Sequence, residues 1–123
     1  MTYIPLEDLK VYQLSVDFSN EGWKIYESLD WKLQKVIGDQ FIRSVDSVGA
    51  NIAEGFGRYH YLDKIKFYYF ARGSLFESRH WIELLFKRKI IDEQKYFELI
   101  EIYNNIKPAL NGLINSIYKN KSN

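Results

Sequence analysis

Two residues of the chain have the types and the spacing of a metal-ligand pair. Glu77 and His80 stand three residues apart. Bundles that hold two iron or manganese ions use a Glu-x-x-His pair on each of two helices, joined by a glutamate from each of the other two. The second histidine, His60, has Gly57 three residues before it, so the second pair is missing. Because the ligand set is incomplete, we predict no metal site and no cofactor.

Other catalytic arrangements are incomplete as well. The chain has no cysteine, which excludes a thiol nucleophile and a disulfide framework. The stretch Gly55-Phe56-Gly57 lacks the Lys-Ser/Thr ending of a Walker motif and the strand that precedes a Rossmann turn. No serine stands in a recognisable hydrolase motif with a histidine base and an acid. We therefore predict that the protein is not an enzyme.

Two polar residues, Asn51 and Glu54, lie one helical turn apart. Such a pair can form part of a site for a ligand or a partner. It can equally satisfy the groups at a helix end and pair with Arg43, Arg58 or Arg72. Both interpretations stay open, and we favour the structural one because polar groups that become buried must be hydrogen-bonded.

Positive charge is concentrated in the third quarter of the chain. Residues 59–90 carry a net charge of +4 and residues 1–30 a net charge of −4, whereas the whole chain has a formal net charge of +1. Cations on the surface attract the phosphates of RNA or DNA, and that attraction falls with salt. A nucleic-acid-binding surface and an ordinary solvated helix face both stay open. The candidate nucleic-acid contacts are Lys64, Lys66, Arg79, Lys87, Arg88 and Lys89.

The spacing of apolar residues predicts four helices that position these groups. Three- and four-residue steps place helices roughly over residues 6–28, 31–54, 62–89 and 92–119. We expect Gly55 to be the glycine that follows the second helix, and Gly73 to mark close packing within the third. Short connections then give one all-α domain over residues 1–123, an up-down-up-down antiparallel four-helix bundle.

The third helix is apolar on most of its circumference, which indicates burial on several sides. In so small a protein this predicts contact with another subunit, and an aromatic content of 17% fits a protein–protein interface. The N-terminus has no basic region followed by an apolar stretch, and no apolar run approaches the length of a membrane span. We expect a cytoplasmic homo-oligomer without a membrane partner.

The segment QFIRSVDSVGANIAEGFGR resembles the signature Q-x-x-R-x-x-x-S-x-x-x-N-I-A-E-G-x-x-R of a bacterial four-helix-bundle family, the 23S ribosomal RNA intervening-sequence proteins. LEDLKVYQLS is similar to the opening of the first helix in that family, and FYYFARGSLFES to its third-helix segment F-x-x-x-A-x-G-S-x-x-E. We interpret the residues that carry the resemblance as structural: Arg43, Ser47, Asn51, Glu54, Gly55, Arg58, Arg72, Gly73 and Glu77.

The resemblance implies a four-helix bundle and similarity to the accessory variability determinant of diversity-generating retroelements. That protein is a ring-shaped homopentamer that binds a reverse transcriptase and nucleic acid through basic surface. A homopentameric ring that binds RNA or DNA, or a protein such as a reverse transcriptase, is therefore one expectation for this chain. The alternative is a protein–protein adaptor or scaffold ring without nucleic-acid binding, which the near-neutral net charge favours.

Overall fold

The computed structural model describes residues 4–121, and every regular element in that range is helical. A 3-10 turn, Leu6–Asp8, precedes four helices that pack as a bundle, which confirms the predicted all-α four-helix fold. Helix α2 is continuous and consists of three consecutive pieces, Trp31–Leu33, Gln34–Gly38 and Asp39–Phe56. The other helices are α1, Lys10–Ser28; α3, Tyr61–Lys87; and α4, Glu93–Lys121.

Six of the eight helix ends differ from the predicted bounds by one to four residues, and two of them have a clear backbone cause. Leu9 has an extended backbone with φ −73° and ψ 117°, so α1 begins at Lys10 after the 3-10 turn rather than at residue 6. Helix α3 ends at Lys87 rather than at residue 89, because Lys89 adopts a positive φ of 59°. The spacing of apolar residues does not reveal such local dihedral angles, because the side chains before and after these residues still face the core.

The wide turn Gln34–Gly38 in α2 is a π-helix, which the sequence did not predict. At Gly38 an added Cβ would lie 3.0 Å from Leu29 Cδ1 and 3.2 Å from the Tyr26 ring. The Tyr26 hydroxyl donates a 2.6 Å hydrogen bond to Asp39, and this bond raises the pKa of Tyr26. The π turn and the missing side chain together let the end of α1 pack closely on α2.

The core lies between all four helices, because α1 and α3 each pack against both α2 and α4. The apolar stripe predicted for α2 faces this core, and Phe41, Val45 and Ile52 are fully buried. Contacts between α3 and α4 run in opposite order along the two helices. Tyr69 meets Tyr118, whereas Glu83, further along α3, meets Tyr96 near the start of α4.

The predicted role of Gly55 was wrong, and the close packing predicted at Gly73 does not occur within one chain. Gly55 lies within α2 instead of following it, and no glycine in residues 4–121 has a positive φ. An added Cβ there would lie 2.7 Å from Tyr68 Cε1 and 3.2 Å from the Lys64 carbonyl oxygen, so the glycine is needed for close approach of α3. Gly73 is exposed, and an added Cβ would meet nothing within 4 Å, so close packing within the chain does not explain it.

None of the helices in the described part of the chain combines the length and the apolar character needed to cross a membrane.

Replacement of Gly55 by alanine is expected to destabilise the fold. The new methyl group would overlap the buried Tyr68 ring. Overpacking outweighs the gain in helix propensity, and we expect a net loss of about 1–2 kcal/mol in the free energy of unfolding. Urea-induced unfolding followed by circular dichroism measures the change.

The matched control is Gly112→Ala, because Gly112 is exposed on α4 with nothing within 4 Å of an added Cβ. This variant is expected to gain about 0.5–1 kcal/mol from reduced freedom of the unfolded chain. Equal stability of the two variants would show that the contact between Gly55 and Tyr68 does not constrain the fold.

Candidate functional site

The six candidate cations lie in different environments, and Lys64 is occupied within the fold. Its ammonium group donates to the carbonyl oxygens of Phe56 at 2.9 Å and Gly55 at 3.3 Å, at the end of α2. These carbonyls have no partner within their own helix, and the negative end of the helix dipole favours a cation. Burial lowers the pKa of Lys64. The residue therefore caps α2 instead of facing outward as a nucleic-acid contact would.

Arg79 joins α3 to α4 through a half-buried polar cluster. Its Nε donates to Glu83 at 2.9 Å, and its guanidinium lies 5.2 Å from the centre of the Tyr103 ring. The Tyr96 hydroxyl donates to the same Glu83 oxygen. The hydrogen bond from Tyr96 lowers the pKa of Glu83, and the hydrogen bond and charge of Arg79 lower it further. Burial raises this pKa but does not outweigh these effects. One of the five N–H donors of Arg79 is thus engaged with Glu83, and the guanidinium is held against α4.

Lys66 stays on the surface of α3. Its ammonium lies 5.6 Å from the centre of the Phe67 ring and 6.0 Å from that of Phe70, within reach of a weak cation–π attraction. The side chain is exposed, so Lys66 can contact an anion without disrupting a helix end or a buried cluster.

Lys87, Arg88 and Lys89 form what we call the cationic end, and all three are exposed. The backbone N–H groups of Arg88 and Lys89 donate to carbonyls of the last turn of α3. Neither Arg88 nor Lys89 forms an ion pair with any residue in the range 4–121. Lys87 acts at longer range and contributes to the lowered pKa of Glu83. Three consecutive cations at one helix end are thus open to solvent.

The Asn51 and Glu54 pair is engaged at the corner between α2 and α3. Asn51 Nδ2 donates to the Ser47 carbonyl oxygen at 2.8 Å. Glu54 forms a 2.5 Å ion pair with Arg58, whose guanidinium lies 4.8 Å from the centre of the Phe67 ring on α3. Of the three arginines considered for this role, the structure pairs Arg58 with Glu54. These contacts support the structural interpretation of the pair.

The remaining signature residues are spread over the surface of the bundle. Arg72 Nη1 donates to Asn111 on α4 at 3.3 Å, and the Glu77 carboxylate accepts a 3.1 Å bond from the Trp81 indole. Arg43 is exposed and makes no hydrogen bond or ion pair within the described chain. The structure therefore does not gather the signature residues into one pocket.

Glu77 and His80 are joined by no third possible metal ligand among the residues that the structure describes. His80 is exposed and packs edge-on against Trp81 at a centroid distance of 4.8 Å. Across residues 4–121, no three histidine, aspartate or glutamate side chains come together in a way that would hold a metal ion.

Exposed aromatic side chains are a surface feature that was not assigned to particular residues from the sequence. Trp31 is 67% exposed at the start of α2, and Tyr59 is 90% exposed in the connection to α3. Their positions in the sequence could have predicted this exposure, because Trp31 stands outside the apolar stripe of α2 and Tyr59 stands between two helices. These rings are available to a partner.

Fold and surface together define a small helical-bundle protein with a cationic end and a signature that shapes the α2–α3 corner. The model of one family, described as 23S rRNA-intervening sequence protein, matches residues 7–112. The chain therefore belongs to the 23S rRNA-intervening sequence protein family, which confirms the resemblance found in the sequence. No curated protein matches the chain.

A solved structure supports the same assignment. The chain resembles a protein of unknown function from the S23 ribosomal protein family of Bacteroides thetaiotaomicron VPI-5482. The two share 26% sequence identity with a TM-score of 0.78, over 87% of this chain and 100% of the other.

The cluster of Arg79, Glu83 and Tyr96 is expected to stabilise the fold in a pH-dependent way. The pKa of Glu83 is below its usual value of 4.5 in the folded protein. The resulting stability is therefore present above that value and is lost as the pH falls through the folded pKa. Glu83→Gln should cost about 0.5–1 kcal/mol at pH 7, the scale of a partly exposed ion pair. The difference from wild type should shrink as the pH falls below 4.5.

Urea unfolding at pH 7 and at pH 3 measures this difference. Glu101→Gln is the control, because Glu101 is exposed and makes no hydrogen bond or ion pair within residues 4–121. It should change stability by less than about 0.5 kcal/mol at either pH. A loss for Glu83→Gln that is the same at both pH values would contradict a contribution from the carboxylate charge.

Proposed function

We propose that this protein is a non-enzymatic homo-oligomer that binds RNA or DNA through the cationic end. The observation that carries the proposal is the exposure of Lys87, Arg88 and Lys89, with neither Arg88 nor Lys89 ion-paired within the described chain. Arginine and lysine side chains free of internal partners can displace counterions from a phosphate backbone. Lys66 lies about 30 Å from this surface by the helical rise, near the other end of α3, and so forms no part of it. Lys64 caps α2, and Arg79 binds Glu83.

A cation at the end of a helix has a simpler role, since it interacts favourably with the helix dipole. That role applies to Lys87, which closes α3. It applies also to Arg88, the residue that caps α3, and to Lys89 directly after it, but it leaves their side-chain N–H donors unused. Their charges therefore remain available to phosphates.

The overall charge of +1 makes a single subunit a weak ligand for nucleic acid. Attraction is local, because exposed charges are screened beyond about 10 Å at 0.1 M salt. Several subunits that present the same cationic end would bind one strand more tightly through multivalency. Nucleic-acid binding and oligomerisation are thus two parts of one proposal.

We also propose that the helices run up-down-up-down and antiparallel, and that subunits assemble into a homopentameric ring. The opposite order of the contacts between α3 and α4 supports the first part. Phe70 and Phe76, each about half exposed on α3, support assembly because another subunit can bury them. The pentameric number rests on the family resemblance alone.

Fluorescence anisotropy with a structured RNA and a single-stranded DNA is expected to show binding at low salt that weakens steeply as salt rises. Arg88→Gln should lower affinity and reduce the slope of log K against log salt by about 0.7–0.9, the value of one phosphate contact. Lys10→Gln is the matched control, since Lys10 is exposed at the start of α1. This control should leave the slope unchanged.

Absence of binding at low salt would overturn the nucleic-acid proposal. The alternative is then a protein–protein adaptor or scaffold, which the exposed Trp31 and Tyr59 favour. A partner such as a reverse transcriptase would be recovered with this protein in a fixed stoichiometry, and nuclease treatment would not release it.

Light scattering at micromolar concentration is expected to give a mass of about five times the 14.7 kDa of one chain. The reason is that the half-exposed apolar surface of α3 becomes buried between subunits. A mass of 14.7 kDa would contradict assembly, and another multiple would contradict the pentamer while leaving the homo-oligomer intact.

A further inference from the structure

A groove between α1 and α2 has a floor of small residues and an acidic rim. One part has a volume of about 210 Å³, and a second part of about 390 Å³ continues it, since Tyr12 and Val16 line both. We call the two parts the acidic groove. Its lining residues include Ser15, Ser19, Gly49, Ala50, Asp46 and Asp17.

The acids of this groove are not neutralised within the chain. Asp17 and Asp46 are exposed, and neither forms an ion pair with any residue in the range 4–121. Gly49 is buried against Ser15, since an added Cβ would lie 2.8 Å from Ser15 Oγ, so α1 and α2 lie close together beneath the groove. The volumes of about 210 and 390 Å³ offer room for side chains of a partner, and the acids attract positive charge.

Helices α3 and α4 carry a surface with the opposite properties, large exposed rings and positive charge. Aromatic side chains there are 38–50% exposed, and cations lie over their rings. Arg72 is 4.8 Å from the centre of the Tyr69 ring, and Lys107 is 5.7 Å from that of Phe76. We call this surface the aromatic–cationic face. Its members are Lys66, Tyr69, Phe70, Arg72, Phe76, Lys107 and Tyr118.

We propose that the aromatic–cationic face of one subunit docks into the acidic groove of a second copy of the chain. The inference rests on the proposed homo-oligomer and names its interface. The two surfaces match in charge and in size, with large rings on one and a floor of small residues on the other. Gly73 lies exposed within the aromatic–cationic face with open space around it, so it allows the backbone of another subunit to approach.

The two surfaces are different, so the contact is heterologous and each subunit makes it twice. Such a contact closes into a ring when the rotation between neighbours fits a whole number of subunits. A two-fold dimer would instead require one surface that is complementary to itself. The pairing of unlike surfaces is thus consistent with a ring of this chain.

Charge exchange tests the pairing. Asp46→Lys and Lys107→Glu should each weaken association about tenfold or more, because each places like charges opposite one another. The double variant in one chain restores opposite charges across the contact and should assemble again. Light scattering over a concentration series gives the dissociation constants, and circular dichroism confirms that each variant is folded.

A steric variant gives an independent readout. Ala50→Trp places a large ring in the groove at an exposed position and should reduce the mass to the 14.7 kDa monomer. The control is Glu101→Lys, an equal charge reversal on α4 outside both surfaces, which should leave assembly unchanged.

The outcomes distinguish the two proposals. A wild-type protein that is monomeric would overturn the homo-oligomer and this interface with it. An oligomeric wild type whose mass is unchanged by Asp46→Lys, Lys107→Glu and Ala50→Trp would overturn the interface and leave the homo-oligomer standing. Weakened single variants without rescue in the double variant would overturn the pairing of these two surfaces.

Discussion

The close approach of α2 to its neighbours is the constraint on which the rest of the structure depends. Gly49 leaves room for Ser15 on α1, and Gly55 leaves room for the buried ring of Tyr68 on α3. Because both contacts are tighter than any side chain at these positions would allow, α2 can lie against both helices at once. The core that fills the space between the helices, including the fully buried Phe41, follows from this geometry.

Several polar residues complete the same corner. Glu54 and Arg58 pair beside the Phe67 ring, and Lys64 caps the carbonyls that α2 leaves unpaired. Part of the family signature therefore describes how α2 meets α3, whereas Arg43, Arg72 and Glu77 lie elsewhere on the bundle.

The fold could be predicted from the sequence to the extent that it depends on periodicity. The stripe predicted from Leu33 to Ile52 is such a pattern, and its members from Ile37 onward are fully buried, whereas Leu33 is half-buried. The role of Gly55 and the capping by Lys64 were not predicted, because both depend on which helix lies across the chain at that point. The contacts of Arg79 were not predicted for the same reason. Its partners include Tyr103 on α4, and no local sequence pattern reveals that contact.

Lys89 occupies a backbone conformation with φ 59° that a glycine would adopt without strain. A residue with a Cβ is disfavoured there by about 1–2 kcal/mol. Glycine or asparagine usually occupies this position where a helix ends in this way. The stability of the helix end therefore does not account for a lysine here. The chain thus carries a charged side chain at the α3–α4 connection against its own conformational preference.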